Sequence, residues 1–87
     1  MASPHFVAVV GEQRRGTEGP DPVLGVTVSK KVGTAVERNR VKRRIREWFR
    51  CNRGVLPRNA AVVVIARRGA ADLGTVETER ELGDLLR

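Results

Sequence analysis

The spacing of hydrophobic and polar residues along the chain predicts three strands. Residues 5–10 (HFVAVV) and 23–28 (VLGVTV) are short segments rich in β-forming residues, and we expect both to be strands. Residues 60–66 (AAVVVIA) form a near-continuous apolar run, which is typical of a central strand that is covered on both faces or paired parallel to a neighbour. Residues 11–22 contain three glycines and two prolines, so we expect a mobile loop between the first two strands.

The longest periodic segment predicts a helix over about residues 35–51. Thr34 followed by Glu37 has the spacing of a capping box, which would start the helix at Ala35. Apolar residues then recur at i, i+4, i+7 and i+8 within one arc about 100° wide. We expect this stripe to pack on the sheet as part of the core: Val41, Ile45, Trp48 and Phe49.

A second helix is predicted from about Thr75 or Thr78 to Leu86 (about residues 75–86), where three leucines share one side and Thr78 with Glu81 repeats the capping-box spacing. The element order is therefore β-β-α-β-α, an α+β fold built as a small α/β sandwich. We expect residues 1–87 to be a single domain, because a chain of this length can bury only about 60–65% of its unfolded surface. The general handedness rule favours a right-handed crossover between the second and third strands.

The second strand predicts a sheet with two unlike faces. Leu24, Val26 and Val28 point to one side, while Val23, Gly25 and Thr27 point to the other. We expect a helix to cover the first side and the second to stay accessible.

Positive charge is concentrated in residues 29–53, SKKVGTAVERNRVKRRIREWFRCNR. This segment has ten Lys or Arg against two Glu, a net +8, whereas the whole chain carries +7. Such a concentrated field suits a polyanion, and with a pI near 11.3 nucleic acid is the first hypothesis, with an anionic membrane surface second. On the helix, five residues are predicted to form one contiguous flank: Asn39, Lys42, Arg43, Arg46 and Arg50.

The residues offer little for protein-based catalysis. His5 is the only histidine and Cys51 the only cysteine, so neither a zinc site, a disulfide nor a Cys-His pair is spelled out. No phosphate-cradling glycine motif is present. The pattern does not determine which sheet face Phe6 occupies, so both a core role and base stacking stay open for it. The absence of a signal-like or membrane-spanning segment favours a cytoplasmic protein with no membrane partner.

The segment VSKKVGTAVERNRVKRRIRE, with Arg38, Asn39 and Arg40 as its central motif, resembles the signature of the protein subunit of bacterial ribonuclease P. The likeness covers roughly residues 23–86. It implies a non-catalytic subunit of a ribonucleoprotein endonuclease, in which an RNA using Mg²⁺ removes the 5′ leader of precursor tRNA. No cofactor is expected on the protein alone. The resemblance also implies an uncommon left-handed crossover, in a fold shared with a ribosomal protein domain.

The resemblance further implies two RNA-binding regions. Residues expected to face the catalytic RNA lie on the helix and beside its start: Ser29, Lys30, Lys31, Arg38, Asn39, Arg40, Lys42, Arg43, Arg46 and Arg50. The accessible sheet face is expected to hold the single-stranded leader of precursor tRNA, with Phe6, Gly25 and Thr27 as cleft residues.

One departure from the family pattern concerns the N-terminus. The family has a basic helix ahead of the first strand, and this chain begins almost at the strand, so we expect that helix to be missing. An uncovered sheet face would weaken leader binding and favour self-association.

Two other function classes stay open from the residues alone. A ribosomal-protein-like module would bind folded RNA without any role in cleavage. A DNA-binding domain would insert the basic helix into the major groove, although no second helix precedes it in helix-turn-helix fashion.

Overall fold

A computed structural model describes residues 2–12, 22–56 and 59–86 of the protein. Within them the chain forms strand β1 (Phe6–Glu12), strand β2 (Val23–Val28), helix α1 (Ala35–Cys51), strand β3 (Ala60–Ala66) and helix α2 (Thr75–Leu86). The predicted order β-β-α-β-α is confirmed. β1 extends two residues into the segment predicted to be a loop, because Gly11 and Glu12 pair with β3, and the rest of that loop up to residue 21 lies outside the described residues.

The strand β3 is central, as its apolar run predicts, and the sheet order is β1-β3-β2. β2 pairs parallel to β3, with Val28 opposite Ala66, and β1 pairs antiparallel to β3, with Phe6 opposite Ala66. A parallel pair needs a crossover connection, and α1 supplies it. The left-handed sense that the family resemblance implies for this crossover stays a prediction.

Only one face of the sheet is covered, so the expectation that β3 is buried on both faces is wrong. The alternative, that β3 pairs parallel to a neighbouring strand, is confirmed. Val62 and Val64 are 1% exposed, whereas Val63 and Ile65 are 39% and 37% exposed. The covered face packs against the predicted stripe of α1, whose four members are all buried: Val41, Ile45, Trp48 and Phe49. The helices therefore form one layer and the sheet the other.

The capping box fixes where α1 begins. The Thr34 Oγ1 accepts a hydrogen bond from the Glu37 backbone N–H at 3.2 Å, and the Thr34 N–H donates to Glu37 Oε1 at 2.9 Å. These two bonds close the cap, and hydrogen bonding from the Thr34 N–H, followed by that from the Thr34 side chain, holds the pKa of the Glu37 carboxyl below its usual value. They satisfy donors that a helix N-terminus otherwise leaves unpaired.

The second predicted capping box is wrong, because α2 begins earlier, at Thr75. Thr78 lies inside the helix, where its Oγ1 donates to the Gly74 carbonyl at 2.8 Å and its side chain is buried. Glu81 instead faces the start of β1. It accepts hydrogen bonds from the His5 backbone N–H at 2.7 Å and lies 3.0 Å from the His5 Nδ1. His5 thus ties the first strand to the last helix.

This contact predicts an acid-dependent loss of stability. Burial acts to raise the pKa of Glu81, but hydrogen bonds from Ser3 and His5 outweigh it, so the pKa lies below its ordinary value of 4.5. A carboxylate with a lowered folded-state pKa stabilises the protein fully above pH 4.5, and that contribution is lost as the pH falls through the folded-state pKa.

We expect Glu81→Gln to lower the free energy of unfolding by about 1–2 kcal/mol at pH 7, since hydrogen bonds to charged groups are lost. The difference from the wild type should shrink below pH 4, as measured by urea unfolding across pH. Glu79→Gln, at an exposed position on the same helix, is the control. A difference that stays constant down to pH 3 would contradict the proposed role of the ionised carboxylate.

Candidate nucleic-acid interface

The exposed side of α1 brings together the five residues that the sequence places on one flank. Asn39, Lys42, Arg43, Arg46 and Arg50, here called the basic flank, line a surface hollow of about 400 Å³. Their spacing of three and four residues puts them on neighbouring turns of one helix face. The predicted contiguous flank is confirmed.

Glu47 also lines this hollow, although the helical pattern groups it with Arg40 and Arg44 on the neighbouring flank. The Arg50 Nε donates to Glu47 Oε2 at 3.1 Å, which lowers the pKa of Glu47 and raises that of Arg50. Arg50 is therefore partly neutralised in the free protein. Sequence reasoning missed this because Glu47 lies at the border of the flank, where its side chain can reach either way.

The other three cations of the basic flank lack such a partner. Within the described ranges, no carboxylate lies within 4.0 Å of the side-chain nitrogens of Lys42, Arg43 or Arg46. Like charges held together on one helix face repel each other until a polyanion neutralises them. These three side chains are accordingly the strongest candidates for contacts with phosphate.

The motif Arg38-Asn39-Arg40 does not share one face. Consecutive helical residues are about 100° apart, so only Asn39 joins the basic flank. Arg38 is half-buried on the sheet side, and its Nε is buried without a hydrogen-bond partner among the described residues. Arg40 is exposed and lies outside the basic flank. The three side chains of the motif therefore point in different directions, although all three were predicted to face a single RNA.

The segment between β2 and α1 contains a short 3₁₀ helix, Lys30–Val32. Ser29, Lys30 and Lys31 are all exposed there, directly after β2 and before the capping Thr34. They lie between the end of β2, an edge strand of the sheet, and the start of α1.

Arg44 has a structural role that the charge pattern hides. Its Nη1 donates a hydrogen bond to the carbonyl of Leu73, in the segment that leads into α2. This cation therefore attaches α1 to the second helix and is not among the candidates for phosphate contact. The partner is 29 residues away along the chain, and no local pattern could reveal it.

The uncovered sheet face is uncharged. Alternation and register place nine side-chain positions on it in three rows, here called the open face: Val7, Ile65 and Thr27; Val9, Val63 and Gly25; Gly11, Ala61 and Val23. Val9 is 56% exposed. Gly25 and Thr27 lie on this face and are exposed, as expected of cleft residues. Self-association through the open face stays a prediction.

Phe6 does not belong to the open face, so its assignment as a cleft residue is wrong. Its side chain is 0% exposed and packs in the core beneath the helices. Strand alternation sends Phe6 and Ala8 to the covered side and Val7 and Val9 to the open side. The apolar run alone could not reveal this phase.

No cluster of three or more His, Cys, Asp or Glu side chains that could hold a metal ion occurs within residues 2–12, 22–56 and 59–86. In the same ranges, no helix has the length and apolar character needed to cross a bilayer.

Fold and surface define a class of protein: a small α+β domain that presents a basic helix flank and an uncharged sheet face, as suits binding to a folded nucleic acid. A family model described as Ribonuclease P matches residues 1–87, and the chain belongs to that family. The earlier resemblance is thus confirmed.

Two similar curated proteins are each named ribonuclease P protein component. That of Desulforapulum autotrophicum is 46% identical over 72 residues, covering 83% of this chain and 62% of the relative. That of Syntrophus aciditrophicus is 43% identical over 82 residues, covering 94% of this chain and 66% of the relative. The chain thus spans less than two thirds of the length of these relatives.

Solved structures agree with this assignment. The RNase P protein of Staphylococcus aureus matches with a TM-score of 0.85 at 35% identity, covering 99% of this chain and 75% of that chain. The RNase P protein of Thermotoga maritima matches with a TM-score of 0.84 at 31% identity, covering 99% of this chain and 78% of that chain. Both the fold and the family are therefore shared with known RNase P proteins.

Proposed function

We propose that this protein is an RNA-binding subunit of the ribonucleoprotein ribonuclease P and assists a catalytic RNA in removing the 5′ leader of precursor tRNA. The observation that carries the proposal is the basic flank, where Lys42, Arg43 and Arg46 lie together without a carboxylate partner, in a chain that belongs to the Ribonuclease P family. The protein is part of an enzyme, but the bond chemistry belongs to the RNA.

The two surfaces suit two kinds of RNA. The basic flank, with Ser29, Lys30 and Lys31 beside it, carries the charge needed to neutralise the phosphates of the folded catalytic RNA. The open face offers Gly25 and Thr27 among small apolar side chains, which suits the bases of a single-stranded leader better than its phosphates.

Mg²⁺ in the holoenzyme belongs chiefly on the RNA, whose phosphates supply the hard oxygen ligands that this ion prefers. The basic flank would then act as a second source of positive charge and lower the Mg²⁺ concentration that the RNA needs. We place this assembly in the cytoplasm, where precursor tRNA of bacteria is made.

Reconstitution tests the proposal. The protein is added to a bacterial ribonuclease P RNA at low Mg²⁺, and release of the leader from precursor tRNA is followed in time. We expect cleavage to accelerate about tenfold or more, which corresponds to an activation free energy lowered by at least about 1.4 kcal/mol. A substrate with a leader of several nucleotides should gain more than one with a single nucleotide, since only the longer leader reaches the open face.

Circular dichroism and a filter-binding assay in the same buffer serve as controls for folding and RNA binding. A folded protein that binds the RNA without accelerating cleavage would refute the proposal and favour a ribosomal-protein-like module. Equal affinity for duplex DNA and structured RNA would instead favour a general polyanion binder.

A further inference from the structure

A groove runs between α1 and α2, next to the basic flank, and differs from it in carrying a second carboxylate. Two adjoining hollows form it, of about 230 and 320 Å³, and Glu47 and Glu79 line both. The smaller hollow is also lined by Thr75, Arg43 and Arg44, and the larger one by Trp48, Cys51, Asn52, Val76 and Arg80. At about 30 Å³ per water molecule, each hollow has room for a flat ring system. We call this feature the interhelix groove.

Glu79 has no hydrogen-bond or ion-pair partner among the described residues, whereas three other glutamates do. Glu37 is engaged by the helix cap, Glu47 by Arg50 and Glu81 by His5. The Glu79 side chain is exposed, and within the described ranges neither of its oxygens accepts a hydrogen bond or pairs with a cation. Both oxygens are therefore free to accept hydrogen bonds from a ligand.

The interhelix groove is continuous with the basic flank. Arg43 and Glu47 line the hollow of the flank and also the smaller hollow of the groove. A phosphate on the flank would thus lie one side chain away from the groove. Arg43, Arg44 and Arg80 also line the hollows, so charge alone does not keep phosphate out of the groove. A phosphate has no hydrogen to donate to the Glu79 carboxylate, however, so the part of a nucleotide that contacts Glu79 must be a donor, such as the edge of a base.

The apolar part of the remaining lining suits a base. Val76 is 63% exposed and forms part of the wall of the larger hollow, where Trp48 lies at the bottom with 3% of its surface exposed. Apolar contact with the ring faces and a free carboxylate at the edge are what single-stranded RNA recognition uses. A carboxylate accepts only, so the matching base edge must donate.

We propose that the interhelix groove binds a guanine base of the RNA, with the Glu79 carboxylate accepting hydrogen bonds from the base N1–H and N2–H groups. Guanine presents two adjacent donors, which fit the two oxygens of one carboxylate. Adenine, cytosine and uracil each place an acceptor beside their donor, and that acceptor would repel the second oxygen. The inference rests on the proposed RNA binding and adds base selectivity to it.

The test uses short single-stranded RNAs without the catalytic RNA. A uridine tract carrying one central guanosine is compared with the same tract carrying inosine, which lacks the N2 amino group, adenosine or uridine. We expect the wild-type protein to bind the guanosine RNA about tenfold more tightly than the adenosine RNA, with inosine between them. Trp48 is the only tryptophan, so base entry should also quench its fluorescence.

The variant Glu79→Gln should reduce the guanosine preference to about twofold or less, because its amide offers one acceptor beside a donor. Its affinity for the uridine tract should stay equal or rise, since a negative charge is removed. Glu77→Gln, an exposed position on the same helix that does not line the groove, should keep the preference.

The outcomes separate this inference from the proposed function. Wild-type protein that binds every RNA equally, or a Glu79→Gln variant that keeps the guanosine preference, would overturn the guanine site while leaving RNA binding intact. Failure to bind any of these RNAs or the catalytic RNA would instead refute the proposed function. Selective loss of guanosine binding in Glu79→Gln alone supports the site.

Discussion

Replacing Lys42 and Arg46 together by alanine is expected to lower the affinity for structured RNA about 30-fold at 0.1 M salt. Each cation that neutralises a phosphate releases counterions and contributes about 0.7–0.9 to the slope of log K against log salt. Removing two such contacts should therefore flatten the slope by about 1.4–1.8. Both side chains lie on the basic flank, and neither is paired with a carboxylate in the described structure.

The matched control is Arg53→Ala with Arg68→Ala. It removes the same two charges from exposed positions outside the basic flank. We expect its affinity to fall much less and its salt slope to stay within about 0.5 of the wild type. Equal losses in the two double variants would mean that net charge alone, and not the arrangement on α1, determines RNA binding. Filter binding at four or more salt concentrations makes the comparison.

Replacing Ile45 by alanine is expected to destabilise the protein by about 2–5 kcal/mol. Ile45 is 1% exposed at the centre of the apolar stripe of α1, so its removal loses burial and leaves a cavity between the helix and the sheet. Total stabilities of small domains are only about 5–15 kcal/mol. With a urea m-value of about 1–3 kcal/mol/M, the unfolding midpoint should fall by roughly 0.7–5 M.

Val36→Ala provides the comparison on the same helix. Val36 is 75% exposed, so the change should alter stability by no more than about 0.5 kcal/mol. Similar midpoints for the two variants would contradict the packing of α1 on the sheet. RNA binding offers a second readout, because a tilted or frayed α1 would also disperse the basic flank.

Local pattern was sufficient to predict α1. The cap at Thr34 and Glu37 and the buried stripe around Ile45 all lie within one segment, and each depends on contacts three to eight residues apart. The basic flank followed from the same helical geometry. For that reason the strongest candidate site could be predicted before the fold was known.

Pattern was insufficient in the sheet and between the helices. The run in β3 is apolar throughout, so the alternation of buried Val62 and Val64 with exposed Val63 and Ile65 is invisible in it. The same ambiguity led to the wrong assignment of Phe6. Nothing local to Glu81 indicates that its partner is His5, just ahead of β1 and 76 residues away.

The sequence by itself determined the helix α1, its basic flank and, through the motif around Arg38-Asn39-Arg40, the family. Those features depend on local hydrogen bonds, helical periodicity and charge density, which are properties of neighbouring residues. Only the tertiary structure decided which residues of β1 and β3 lie on the open face, that Arg44 holds α2 by way of Leu73, and that Glu79 meets Glu47 across a groove beside the flank. These depend on strand register and on the docking of two helices, which bring residues together from distant parts of the chain.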